Sequence, residues 1–207
     1  MGTSSNTRNW SHTAFTFIAS LCLLFIPTLF LISSSNKHEV VIDSYPWQPD
    51  KFDVAVEDAA FVVEATVKEV LQPQWTTPDG NSPKDPAEIL SNLDVQLRTP
   101  VILSIERVLK GNLDTKEIMF TFMGGTDGEY RVRQEEDRSL SLGSRVLIFL
   151  GEAPEGSGPW AKISPYYPQL YFIIEGDTLQ GPISTVDKQA VVEQIQVVVE
   201  QLANEVK

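Results

Sequence analysis

The sequence predicts an all-β core, a small five-stranded antiparallel barrel with long loops and a C-terminal helix. Three features predict it. First, side chains recur at period two through Val95, Leu97, Thr99, Val101, Leu103 and Ile105, and again through Ile118, Phe120 and Phe122. This is the spacing of half-buried strands. Second, residues 146–150, Val-Leu-Ile-Phe-Leu, are apolar on both faces and read as a central, buried strand. Third, strands and helices do not alternate regularly, which argues against a doubly wound sheet. A strongly curved antiparallel barrel closes its own edges and suits this pattern.

Taken in order, the chain opens with a polar stretch whose only charge is Arg8, followed by residues 14–32, which carry none. That apolar run is about the length of a bilayer crossing. It reads either as an uncleaved anchor or as a signal peptide cut near Ser35, within residues 1–35. Its length favours the anchor, and both readings export the remainder. Leu21 precedes the single cysteine, Cys22, where lipid modification requires a small residue, so lipoprotein processing is disfavoured. Residues 36–59, with Tyr45, Pro46, Trp47 and Pro49, read as a connector lying on the domain.

The domain is expected over residues 60–207. Its first strand, residues 60–70, places Phe61, Val63, Ala65 and Val67 on one face and Val62, Glu64, Thr66 and Lys68 on the other. Residues 72–92 hold four prolines and an Asp79-Gly80-Asn81 turn, a composition that disfavours regular structure. Trp75 is the only large aromatic there. It reads as an exposed contact residue or as a side chain folded onto the core. Residues 99–124 then form the central hairpin around Lys110-Gly111-Asn112, and Pro100 marks an edge, bulge or bend in its first arm.

Gly124 and Gly125 lead into Asp127 and Glu129, oxygen donors of the type calcium takes, without the spacing of a dedicated calcium loop. Residues 129–138 mix three arginines with four acids and read as a solvated loop or an edge strand. Beyond the buried strand, Trp160, Tyr166, Tyr167, Tyr171 and Phe172 form an aromatic cluster, read as a sugar or peptide surface or as a seam under the terminal helix. Ser184-x-x-Asp187 reads as a capping box opening a helix over residues 185–204, with Val191, Ile195, Val198 and Leu202 on one stripe. Its many β-branched residues mean that docking must hold it.

The formal charge is -12, and a chain lacking Arg8 is one unit more negative. Such a surface repels nucleic acid and anionic lipid. The only histidines are His12 and His38, and no cysteine follows Cys22. A His/Cys zinc site and Cys–His or Ser–His catalysis are therefore excluded from the folded domain.

The runs 61–67, 101–113 and 142–150 resemble those of exported prokaryotic proteins with an OB-like barrel, similar in fold to tissue inhibitors of metalloproteinases and netrin-type modules. The resemblance spans residues 60–180 and implies an OB-like fold. The animal inhibitors grip their target's zinc through an N-terminal cysteine, which this domain lacks, so that mechanism is not implied. The expected function is a non-catalytic extracytoplasmic binding or structural module with a protein partner. A glycan-binding domain and a two-carboxylate hydrolase are the alternatives. No cofactor or metal is expected, and nucleic acid is not an expected partner. The binding candidates are Trp75, Asp127, Glu129, Trp160, Tyr166 and Tyr167.

Overall fold

Two neighbouring strands, buried on both faces over residues 62–65 and 146–151, form the middle of the protein. The computed structural model describes residues 38–42, 52–92, 94–134, 140–181 and 184–205. In chain order the elements are β1 (His38–Ile42), α1 (Phe52–Asp58), β2 (Phe61–Val70), β3 (Gln74–Trp75), α2 (Ala87–Ser91), β4 (Leu97–Lys110), β5 (Glu117–Met123) and β6 (Gly125–Asp127). There follow β7 (Tyr130–Gln134), β8 (Arg145–Glu152), β9 (Tyr166–Glu175), β10 (Thr178–Gln180), β11 (Thr185–Asp187) and α3 (Lys188–Glu205). The anchor or signal segment, Cys22, the cut at Ser35 and Tyr45–Pro49 lie outside the described residues.

Strands β2 and β8 run antiparallel, with Val62 opposite Phe149 and Val63 opposite Ile148. Because side chains alternate across a strand, each feeds two cores. Val62, Leu147 and Phe149 point to α1 and α3, where they meet Phe52, Val56, Phe172 and Ile195. Val63, Ala65, Ile148 and Leu150 point the other way, against Val101, Leu103, Ile118 and Phe120 of the central hairpin. The buried strand predicted at 146–150 is therefore β8, lying between β2 and β9.

The predominantly β character and the terminal helix agree with the sequence reading; the closed five-stranded barrel does not. The main sheet has eight strands, ordered β11-β10-β9-β8-β2-β4-β3, with β5 on the other edge of β4. Arg98 pairs with Gln74 on one side and Met123 on the other, so β3 continues the line of β2 opposite β5. No ladder joins β5 to β9 among the described residues. Side chains fill that seam instead. Phe122 meets Tyr171 edge-on at 5.5 Å, and Ser164 Oγ donates to the Met119 carbonyl at 2.8 Å. The sheet curves but stays open.

Three short strands form a second sheet, with β7 parallel to β1 and antiparallel to β6. Tyr130 and Val132 of β7 bury against Trp75, Ile89 and Leu97. The segment expected as a loop or edge strand thus supplies the middle strand of this sheet, because Tyr130 and Val132 alternate with Arg131 and Arg133. Arg133 Nε reaches Glu39 at 2.8 Å across the β1 pairing.

The expected connector also carries structure: its β1 belongs to the second sheet, and its α1 buries Phe52 and Val56 in the helix-side core. The compact unit begins at Lys37. Lys110 Nζ donates to the carbonyls of Val56, Glu57 and Ala59, each at 2.7 Å, and so caps the end of α1. Gly111, next in sequence, has φ +86, and a Cβ there would lie 2.5 Å from the Ala60 carbonyl oxygen. Glycine is required at that turn on both counts.

Helix α3 begins three residues later than its predicted start. Asp187, not Ser184, is its cap, accepting from the Ala190 amide at 2.8 Å. Val192, Ile195 and Val198 are its buried stripe. The helix also carries Lys188, whose Nζ lies 2.7 Å from Glu64 Oε2 on the helix-side face of β2. Glu64 is only 5 % exposed. Lys188→Met leaves the buried carboxylate with only the half-exposed Arg107 guanidinium, 3.9 Å from its other oxygen, and is expected to lower stability by about 3 kcal/mol. Urea unfolding measures this, and Glu64→Leu in the same chain is expected to restore most of it.

At the far end of β2, Arg145 and Thr66 both donate to Glu106. The Arg145 hydrogen bond, more than the Thr66 one, holds the Glu106 carboxyl below the usual 4.5. A carboxyl depressed in the folded state adds stability above its unfolded value, and that share is lost as pH falls through the folded value. Acid titrations below about pH 4.5 are therefore expected to fall less steeply for Glu106→Gln than for the natural chain.

Candidate functional site

The binding candidates separate into two places on opposite faces of the β3–β4 ladder. Trp75 pairs with Leu97, and both side chains enter the small core under the second sheet. Trp75 is 6 % exposed, so it is not the exposed contact residue that one reading of the loop allowed. Its Nε1 donates to Asp127 Oδ2, and its ring meets Tyr130 edge-on at 5.7 Å. Asp127 is thereby a structural partner for a buried indole. The Glu129 side chain is exposed, and its backbone carbonyl accepts from the His38 amide at 2.9 Å. Among the described residues no cluster of three or more metal-ligating side chains occurs.

Tyr166 also belongs to the interior. Its ring lies edge-on to Phe61 at 5.5 Å, against the hairpin-side core. Trp160 and Tyr167 remain together, with ring centroids 5.7 Å apart and planes at 89°. They border a pocket of about 340 Å³ whose lining includes Arg98, Phe122, Met123 and Pro168.

The local sequence explains how these residues converge. Residues 154–164 form a loop between β8 and β9, closed at its base by the Ala153 amide donating to the Pro165 carbonyl at 2.7 Å. The Ser164 hydroxyl ties the same loop to β5 through Met119. Within it, Pro159 opens the 3-10 turn Pro159–Lys162 that carries Trp160. Tyr167 lies across Gly151, where a Cβ would fall 2.7 Å from the tyrosine ring. Only a bare backbone at Gly151 admits that ring.

Arg98 is the residue the sequence reading missed. It stands in an apolar strand two residues after Gln96, on the face opposite Leu97. In the fold it is 8 % exposed. Its Nε donates to Gln96 Oε1 at 2.8 Å, and its guanidinium carbon lies 4.8 Å from the Trp160 ring centroid. That is cation–π range. Burial pulls the guanidinium down to about 10, from an ordinary 12.5. No carboxylate pairs with it among the described residues.

A second, polar cavity of about 530 Å³ includes Glu64, Asp177, Asp187, Lys188 and Glu193 in its lining. Its buried charge is already matched by the Glu64–Lys188 pair. In the Arg98 pocket the buried charge has no carboxylate partner among the described residues.

No protein-family model matches the chain, and no curated protein matches it. The site therefore rests on its own geometry. Asp127→Ala, which leaves the Trp75 N–H buried without its acceptor, is expected to cost about 2 kcal/mol in urea unfolding. Asp127→Asn, which keeps an acceptor, is expected to recover most of that.

Proposed function

We propose that this protein is a non-catalytic binding module displayed outside the cytoplasm, engaging a protein partner at the Arg98 pocket. Residues 14–32 anchor it, or release it after cleavage near Ser35. The carrying observation is the pocket itself: aromatic and apolar walls around one desolvated cation, on strands held from both sides. Ligand sites commonly combine an apolar lining with a few placed polar groups. Loops set on a rigid scaffold are the usual carriers of such sites.

The architecture supports the same reading. The five long strands follow the order β5-β4-β2-β8-β9, with a side-chain seam between the outer two. We take this as a partly open OB-like barrel, extended by short strands and akin in fold to the netrin-type modules. Such a fold carries binding on its loops, but fold alone assigns no partner. The non-catalytic assignment rests on the sequence, in which His38 is the only histidine after the apolar stretch and no cysteine follows Cys22.

Two measurements test the proposal. Glu155→Cys in a Cys22→Ala background places a thiol on the exposed β8–β9 loop. A membrane-impermeant maleimide is expected to label it in spheroplasts before lysis, and labelling only after lysis overturns the location. A photo-crosslinking benzoylphenylalanine at Tyr167 is expected to give a discrete protein adduct that the same group at exposed Leu90 does not. Identical adduct patterns at both positions, or none, overturn the pocket as the binding surface.

A further inference from the structure

We propose that the Arg98 pocket recognises a carboxylate joined to a large apolar group, the carboxylate meeting the guanidinium and the apolar part lying against Trp160, Tyr167, Phe122 and Met123. This inference rests on the binding reading above and names the chemistry of the ligand.

Arg107, Arg133 and Arg145 each lie within 4 Å of a carboxylate, and their side chains are 52 %, 42 % and 47 % exposed. Arg98 is far more buried, and no carboxylate among the described residues pairs with it. A desolvated charge is normally paired, because an unpaired one forfeits its hydration. One neutral amide oxygen and one ring face compensate only part of that. The fold thus holds a cation in a low-dielectric place that an arriving anion would neutralise.

The donor geometry narrows the anion. Gln96 takes the Nε–H, and the two terminal nitrogens have no hydrogen-bond partner among the described residues. Together they form the end-on fork that matches the two oxygens of a carboxylate.

The walls narrow the rest. Apart from Arg98, the lining is aromatic, prolyl or thioether side chains. A sugar would bring hydroxyls that find few partners there, and unpaired hydroxyls are costly. A polyanion would meet the net charge of -12, which repels it over a long range. A single carboxylate beside an apolar body satisfies both conditions. A pocket of about 340 Å³ lies at the small end of ligand sites, enough for one terminal residue.

A peptide C-terminus and a free apolar acid share this chemistry. Equilibrium dialysis on the full-length chain in lipid nanodiscs, with empty nanodiscs as control, separates them. The probes are N-acetyl-phenylalanine, an octapeptide ending in phenylalanine, and the C-terminal amide of each. At least one acid is expected to bind saturably below about 10 mM, at least tenfold tighter than its amide. Arg98→Gln is expected to remove that preference, and Trp160→Ala to weaken both acid and amide. Tighter binding of the octapeptide identifies a peptide end, and equal binding identifies the terminal acid alone as sufficient.

Arg98→Met provides a readout that separates ligand binding from structure. Thermal unfolding of this variant is expected at or above the Tm of the natural chain, since it removes a desolvated charge. A fall in Tm, equal binding of acid and amide, or no binding of either acid overturns the proposal. If the Tyr167 crosslink still captures a protein in that event, only the ligand chemistry has failed; if it does not, the binding reading has failed as well.

Discussion

Strands β2 and β8 have to bury both faces at once, and the remaining architecture follows from that constraint. A strand with one wet face tolerates local changes there. Here a slip of one residue would exchange Val62 with Val63 and Phe149 with Ile148 between two different cores. The register is therefore held from both sides. It also dictates what must cover each face. One face needs the helices α1 and α3, and the other needs the β4–β5 hairpin curling over it. Glu64 is the single acidic residue in the double-faced part of β2, and α3 meets it with Lys188. The terminal helix, weak in its own propensity, is thus fixed by an apolar stripe and a buried ion pair together.

That rigidity has a consequence at the other end of the molecule. β4 is long enough to outrun β2, and its first residues pair with β3 on one side and β5 on the other. Arg98 falls in this overhang. With β-structure on both flanks it cannot swing its backbone outward to hydrate its head. The loop between β8 and β9 is tied down at Ala153 and Ser164, and so it brings Trp160 over the guanidinium. The pocket is therefore built from strand ends plus one clamped loop, an arrangement that places side chains more firmly than a free loop does.

Much of this was legible in the residues. The long strands, the hairpin with its glycine turn and the terminal helix all announce themselves through apolar periodicity. The elements that were not legible are short. A two-residue strand such as Gln74–Trp75 or a three-residue one such as Gly125–Asp127 holds no period to detect; its pairing is imposed by what lies beside it. The Tyr130–Gln134 strand does alternate, but only two apolar residues carry the signal among arginines whose charge reads as solvent. The helix at Phe52–Asp58 is too short to stand alone, and its ends are satisfied from afar by Lys110. The barrel stayed open because the seam between β5 and β9 is occupied by Phe122 and Tyr171, a packing that strand patterns do not encode. Of the aromatic candidates, Trp75 and Tyr166 went to structural use and Trp160 and Tyr167 to the pocket. Aromatic type alone does not divide them.

Arg98 shows why a site can hide in a strand. Within its own segment it looks like an ordinary polar position, since Gln96 and Arg98 share one side of an alternating run. Its burial comes from a loop more than fifty residues later in the chain, and no local pattern carries that distance. The same remoteness gives the site its selectivity. A protein with an excess of acids on its surface holds off polyanions at range, and a lone cation inside apolar walls attracts only what is small, singly charged and largely apolar. The outer field and the inner charge are opposite in sign, and each removes ligands that the other would admit.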